Sequence, residues 1–341
     1  MGVRWWRRGC RPRRIALGLL VIVCVVLTPV GAAAIYLRLA DAGTLRDDAR
    51  TRGRDALWLG HAWIDGRKSD ADLAELGIRL AGTGIEDLYV HTGPLDNDGT
   101  LRAELYPQAR WFIDAVHRRL PGIRVQAWLG DLLAPEFDGL NTGDPATRDR
   151  VVMTSTQVLD LGFDGIHFDF EPVRSGSTGY ITLLEQVRAV TSAHHALLSV
   201  SAPVIDPLPG LHSVGLALFD HGKWWSQDYF ARVARRVDQI AVMSYDTAMP
   251  TRSLYGGYIA QQTTLALQVT PPTVDLLMGL PAFRTDGLGH HAAAETVAAG
   301  IRGVRVGLAR TDRGRRAFGV ALYVDFAATE QDWADYRRDW A

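Results

Sequence analysis

The feature that most constrains this chain is an alternation. Beyond residue 54, short apolar runs with strand character recur, separated by amphipathic stretches. The runs are Ala56–Trp63, Asp87–His91, Arg124–Leu129, Gly165–Glu171, Leu197–Ala202, Gln239–Tyr245, Asp275–Leu280 and Gly319–Asp325. Stretches such as Asp70–Ala81, Ala109–Leu120, Thr147–Leu161 and Thr178–Ala193 carry helical periodicity between them. Eight strand–helix repeats in about 285 residues predict an α/β fold of the (β/α)8 TIM barrel type, since a doubly wound sheet generally uses fewer strands. Function on such a barrel sits at the C-terminal ends of the strands, and the fold itself specifies no chemistry.

The N-terminus sets the expected address. Six arginines (Arg4, Arg7, Arg8, Arg11, Arg13, Arg14) precede the uncharged stretch 15–37, which Arg38 closes. Its 23 residues are enough to cross ~30 Å of hydrocarbon as a helix. The arginines predict a cytoplasmic N-terminus with the body outside. The expected layout is a basic tail at 1–14, a transmembrane signal anchor at 15–37, a linker at 38–54 and the barrel at 55–341. A cleaved signal peptide is the rival, with Ala32-Ala33-Ala34 as the cleavage site and Pro29 ending a shorter apolar region. Either way the body works outside the cytoplasm. Past residue 14, 31 basic residues face 38 acidic ones, the opposite of a nucleic-acid-binding surface. The only cysteines, Cys10 and Cys24, lie in this leader, so the body has no disulfide and no thiolate metal site.

The fourth run carries the chemistry. In Phe163-Asp164-Gly165-Ile166-His167-Phe168-Asp169-Phe170-Glu171-Pro172, strand alternation puts His167, Asp169 and Glu171 on one face. A parallel barrel strand is buried on both sides, so this polar face must line the interior. Ionisable groups there are costly unless paired or used. Pro172 ends the strand and leaves Glu171 at the rim. Two carboxylates roughly 6–7 Å apart along a strand interact, one tending to hold a proton while the other ionises. Glu171 is thus a candidate general acid with Asp169 as partner. The alternative is a buried, satisfied structural network.

The segment resembles the strand-four signature Asp-Gly-x-Asp-x-Asp-x-Glu of glycoside hydrolase family 18, the chitinase family, matched by Asp164, Gly165, Asp169 and Glu171 with His167 at the first inward Asp. Met243-Ser244-Tyr245-Asp246, preceded by Gln239, is similar to the family's sixth strand, and Gly279-Leu280-Pro281-Ala282-Phe283 weakly resembles its seventh. The resemblance implies hydrolysis of N-acetylhexosamine-containing glycans with retention. Glu171 would protonate the glycosidic oxygen while the substrate's own acetamide acts as nucleophile. Asp169 would orient the acetamide and Tyr245 would hydrogen-bond its oxygen. Met243 and Asp246 would line the sugar subsite. The resemblance implies no cofactor and no metal.

Two departures stand out. His167 replaces an Asp thought to help Asp169 change partner, and a protonated His167 would hold Asp169 ionised. Tyr323, in the eighth run, stands near where the family places a tryptophan floor. Asp325, on the same face, is read as an extra acid or a buried pair. Trp63, His91 and Trp128 are candidate sugar platforms. Trp224-Trp225 is a candidate surface patch, and His290-His291 and His194-His195 lack partners at metal-ligand spacing. The interval from Phe283 to Gly319 has room for a loop and one helix, which predicts a shallow, open groove. The expected function is a membrane-anchored extracytoplasmic glycoside hydrolase acting on peptidoglycan or chitin-like glycans. The alternatives are a non-catalytic lectin-like barrel, or a glycosidase pairing Glu171 with Asp246 or Asp325 on non-acetylated sugars.

Overall fold

A computed structural model of the chain describes residues 27–213, 224–287 and 289–341. Eight parallel strands close into a barrel in sequential order: β1 (Asp55–Leu59), β2 (Ile85–Pro94), β3 (Arg124–Leu132), β4 (Gly165–Glu171), β5 (Leu197–Ala202), β6 (Gln239–Val242), β7 (Asp275–Pro281) and β8 (Phe318–Tyr323). The expected (β/α)8 architecture is therefore the observed one. Helices such as Asp70–Leu80, Pro145–Leu159 and Thr178–Ala193 pack outside, the last two started by side-chain caps from Asp144 and Ser177. Three strands stop before their apolar runs end, β8 at Tyr323 two residues early and two others by more. β1 stops at Leu59, and His61–Trp63 form a 3-10 turn. β6 stops at Val242, so Met243-Ser244-Tyr245-Asp246 is a loop at the barrel mouth and not strand. Apolar content extends both runs past the last ladder hydrogen bond, and periodicity does not see that end.

The barrel interior is polar and aromatic and forms layers. At the base, Arg124 holds both oxygens of fully buried Asp87 at 2.8 and 2.7 Å. Gln126 and Gln239 donate to the same carboxylate, each at 2.9 Å. Every oxygen of this buried anion is matched by donors, the condition under which burial of a charge is tolerated. Above it lie Tyr89, His167 and Ser199, and above those Trp58, Trp128 and Tyr323 line one aromatic cluster. The apolar faces of the strands point outward into a separate core shared with the helices.

The N-terminal segment grips the barrel flank. Residues 27–41 are helical, with Leu37 and Ala40 buried. A side chain at Gly257 would collide with the Leu37 carbonyl, so the glycine permits this close approach. Arg302 then binds the Asp41 carbonyl at 2.7 Å through Nη2. The stretch 38–54 runs down the outside of Arg252–Val269 and Val297–Thr311 toward β1. Of the expected span at 15–37, residues 15–26 lie outside the described residues. Among the described residues, no helix is long and apolar enough to cross a membrane.

Where the chain enters β1, the fully buried Asp55 accepts from Thr51 Oγ1 (2.6 Å), Tyr336 Oη (2.7 Å), Trp340 Nε1 (3.0 Å) and the Val320 amide (2.8 Å). This carboxylate ties the barrel's closing strand pair to its C-terminal helix. Asp55→Ala strands several buried donors and should cost about 3 kcal/mol, against about 1 kcal/mol for Tyr336→Phe. Urea unfolding of both variants checks this, and equal costs would contradict it.

Candidate active site

Register places the strand-four residues. β3 pairs Trp128 with His167, Gly130 with Asp169 and Leu132 with Glu171. Trp128 can therefore donate from Nε1 to Asp169 Oδ2, at 2.9 Å. Asp169 Oδ1 is buried and has no hydrogen-bond partner among the described residues. Burial raises the Asp169 pKa, while bonds from Ser201 and Trp128 favour its anion. Glu171 reaches solvent at the rim, yet the barrel mouth crowds its carboxyl. Loss of hydration, and then the charges of Asp169 and Asp246, push its pKa up to about 7. The site thus holds one carboxyl able to give up a proton at neutral pH beside a buried carboxyl with a vacant acceptor oxygen.

His167 is locked beneath them. Trp58 Nε1, which can only donate, lies 3.1 Å from His167 Nε2. His167 Nδ1 lies 2.7 Å from Ser199 Oγ, which in turn donates to Gln126 Oε1 at 2.7 Å. A donor facing Nε2 and an acceptor facing Nδ1 leave one tautomer, with the proton on Nδ1. Tyr89 stacks on the ring at 3.8 Å and closes it from water. Burial lowers its pKa to about 3, so His167 is neutral and does not hold Asp169 ionised as a cation would. Ser201 stands between the ring and Asp169, its Oγ 3.1 Å from His167 Nε2 and its single proton available to only one of the two.

The loop after β6 supplies the opposite wall. Ser244 anchors it by donating to the Gly279 carbonyl at 2.6 Å, and Tyr255 donates to the Ser244 carbonyl at 3.1 Å. A Cβ at Gly279 would sit 3.1 Å from the Tyr245 ring, so this glycine lets the tyrosine lie against β7. Tyr245 stacks on Tyr323 at 5.1 Å, and Phe283 meets both edge-on. The Tyr245 hydroxyl makes no hydrogen bond among the described residues, and burial with nearby carboxylates raises its pKa, so it stays a phenol and a donor. Met243 is half-buried beside Glu171, where the two help line a cavity of about 130 Å³ with Pro203. Asp246 adopts a left-handed backbone (φ 55°), which Asp tolerates better than bulkier residues. Its carboxylate is exposed at the mouth, 3.1 Å from His290 Nδ1.

Of the residues singled out from sequence, Glu171, Asp169, His167, Trp128, Tyr245, Asp246, Met243 and Tyr323 converge here. Trp63 does not. It is 5% exposed, packs on Phe112 of the helix layer and donates to Asp325 Oδ2 at 2.7 Å, on the same side as Leu57 and Leu59 and away from inward-facing Ala56 and Trp58. Asp325 also accepts from the Gly60 amide at 2.9 Å, making it a structural clasp between β1 and β8. Trp225 is buried against Tyr229 and donates to the Val173 carbonyl, and its neighbour Trp224 bonds Tyr258, so this pair forms no surface patch. His91 meets Trp128 edge-on at 4.7 Å and lies 3.0 Å from His61, nitrogen to nitrogen. Sequence reasoning missed Trp58, Ser201 and Glu295, and set His290 aside as unpartnered. Trp58 and Ser201 were accessible in principle, sharing the inward parity of Ala56 and Ser199. His290 was not, because its partner Asp246 is remote in sequence.

No protein-family model and no curated protein matches this chain at the level of sequence. Solved structures do match its fold. A class V chitinase from Pseudomonas fluorescens Pf-5 aligns with a TM-score of 0.59 at 14% identity, over 83% of this chain and 98% of that one. The spore cortex-lytic enzyme SleL of Bacillus megaterium QM B1551 gives 0.59 at 13% identity, over 86% and 75%. A chitinase from Chromobacterium violaceum ATCC 12472 gives 0.56 at 14%, over 84% and 98%. This chain shares the barrel of the chitinase-type structures. At these identities the likeness speaks for the fold.

The lock on His167 has a spectroscopic consequence. Its imidazole should show a protonated Nδ1 and no titration between about pH 5 and 8 in 15N-resolved NMR. A cationic ring at pH 6 would contradict the assignment. Because the unfolded chain protonates this residue near 6.5 and the folded chain only near 3, it withdraws stability as pH falls through that window.

Proposed function

We propose that this chain is a membrane-anchored, extracytoplasmic glycoside hydrolase that cleaves N-acetylhexosamine-containing glycans of the peptidoglycan or chitin type by a retaining, substrate-assisted mechanism. The observation that carries the reading is the pairing of Glu171, a carboxyl whose pKa is raised to about 7, with Asp169, a buried carboxyl whose Oδ1 has no partner among the described residues. A protonated acid at the rim and an empty acceptor below it are what a glycosidic oxygen and an acetamide N–H require. The family resemblance of the two motifs and the fold shared with chitinases and a spore cortex-lytic enzyme point the same way.

In this reading the reacting sugar rests against Tyr245 and Tyr323, with Trp58, Trp128 and Phe283 around them. Glu171 gives its proton to the glycosidic oxygen as that bond to the anomeric carbon breaks. The substrate's acetamide oxygen forms the new bond, so no protein nucleophile is needed. Asp169 Oδ1 accepts the acetamide N–H and stabilises the positive charge that grows on it. The Tyr245 hydroxyl donates to the attacking oxygen and fixes its approach. Glu171 then takes a proton from the water that attacks the anomeric carbon, whose bond to the acetamide oxygen breaks to restore the acetamide, and two inversions give net retention. Asp246 and Met243 border the same subsite. For the anchor, the support is the 23-residue uncharged stretch behind six arginines.

A protein-carboxylate nucleophile is the second reading. Asp325 is committed to Gly60 and Trp63, which leaves Asp246, across the mouth from Glu171, to fill that role.

Glu171→Gln should lower turnover of an N-acetylated substrate at least about a hundredfold while sugar binding persists. Asp169→Asn and Tyr245→Phe should each cost more than about tenfold, roughly 1.4 kcal/mol of barrier. Steady-state kinetics and calorimetric binding check these, and near-normal turnover in Glu171→Gln overturns the acid assignment. The protonated form of Glu171 is the working one, so activity should fall as pH rises through about 7. An alkaline limb set near pH 4–5, the ordinary carboxyl range, would contradict this.

A further inference from the structure

The N-terminal segment descends the barrel flank from mouth to base. The helices Arg252–Val269 and Val297–Thr311 both begin at the mouth, because each follows a loop that leaves the C-terminal end of its strand. Leu37 meets the first of them at Gly257, in its second turn, and Arg302, in the second turn of the other, binds the Asp41 carbonyl. Arg305 Nη2 then binds the Arg46 carbonyl at 2.8 Å, Arg52 reaches the Arg315 carbonyl beyond the end of that helix, and β1 opens at Asp55 on the base. Followed backward, the chain therefore leaves the barrel toward the mouth. Ala34 and Leu37 pack on the core of the body and Ala40 is buried, whereas residues 27–33 of the same helix are exposed throughout.

That helix carries the marks of a membrane boundary. Leu27, Val30 and Ile35 expose large apolar side chains and belong to the uncharged stretch 15–37. Tyr36, of a residue type favoured at the level of lipid headgroups, and Arg38, the first charge, stand on either side of the Leu37 contact. The boundary they mark is level with the mouth and away from the base. The rim has apolar side chains of its own. Leu132 ends β3, Phe137 follows it, Leu208 follows β5 and Phe326 follows β8, and each is exposed, Phe326 by 76%. Exposed apolar side chains gathered at one end of a molecule mark a contact surface. The two leucines have no ring to stack on a sugar, which favours lipid as the occupant. An interfacial contact buries such side chains about 5–10 Å into the headgroup boundary.

We propose that the barrel mouth faces the bilayer, with Phe137, Leu208 and Phe326 resting on the lipid surface, so that glycan reaches the site along the membrane. Docking of the N-terminal helix on Gly257 fixes this orientation. The inference rests on the reading of the chain as a membrane-anchored hydrolase.

The test uses the full chain in phosphatidylcholine vesicles, with Cys10→Ser and Cys24→Ser so that one introduced cysteine carries a fluorophore. Asp138→Cys marks the rim beside Phe137, and Thr273→Cys, exposed just ahead of β7, marks the base. Lipid bearing a nitroxide on its headgroup should take away most of the rim fluorophore's emission. The base fluorophore, a domain height of roughly 30 Å away, should keep its own. Phe137→Ser with Phe326→Ser should return part of the emission lost at the rim. In a chain that floats with the vesicles, quenching at the base alone, at both positions equally or at neither overturns the orientation. Rim quenching that the serine pair leaves unmoved overturns the lipid contact. A chain that does not float overturns the anchor reading and the proposal with it. Turnover measured separately on N-acetylated glycosides decides the hydrolase reading, so the two fail independently.

Discussion

The bond from the Trp58 indole to His167 Nε2 governs the electrostatics of this barrel. An indole nitrogen can only donate, so it claims the imidazole's lone pair and leaves its single proton on Nδ1, facing Ser199. With Tyr89 sealing one face, His167 is neutral, and among the described residues no cation lines the barrel interior above the Arg124–Asp87 layer at its base. At the mouth, loss of hydration raises Glu171 first, and the charges of Asp169 and Asp246 add to it; a carboxyl raised to about 7 is useful as an acid near neutral pH.

The arrangement is costly, and the cost is spread through the layers. Three ionisable or polar positions on one strand face would destabilise an aliphatic barrel. Here the alternate positions of the neighbouring strands supply Gln126, Ser199, Ser201 and Gln239, so the network from Asp87 up to Asp169 is bonded nearly throughout. Among the described residues, the exception is Asp169 Oδ1.

Much of this was legible in the sequence because it depends on period and parity. Strand alternation put His167, Asp169 and Glu171 on one face, and register with β3 brings Trp128 to Asp169. The eight apolar runs gave the barrel. What sequence could not show were the ends of runs and contacts across remote loops. Trp63 closes a run that looks like continuous strand, but the strand stops at Leu59 and Trp63 packs in the helix layer with Leu57 and Leu59, where it holds Asp325. His290 reads as half of an unpartnered pair until the loop after β7 folds onto the loop after β6. The protonation of His167 was open for a similar reason: its tautomer is set by Trp58 and Ser199, which lie on other strands.

The central claim is that the substrate supplies the nucleophile, and matched substrates address it most directly. Two aryl glycosides differing only at C2, one bearing acetamide and one hydroxyl, present the same leaving group to Glu171. The account predicts release from the acetamide compound, with retained configuration in the first-formed sugar, and none above background from its partner. Comparable release from both would place the nucleophile on a protein carboxylate and contradict it.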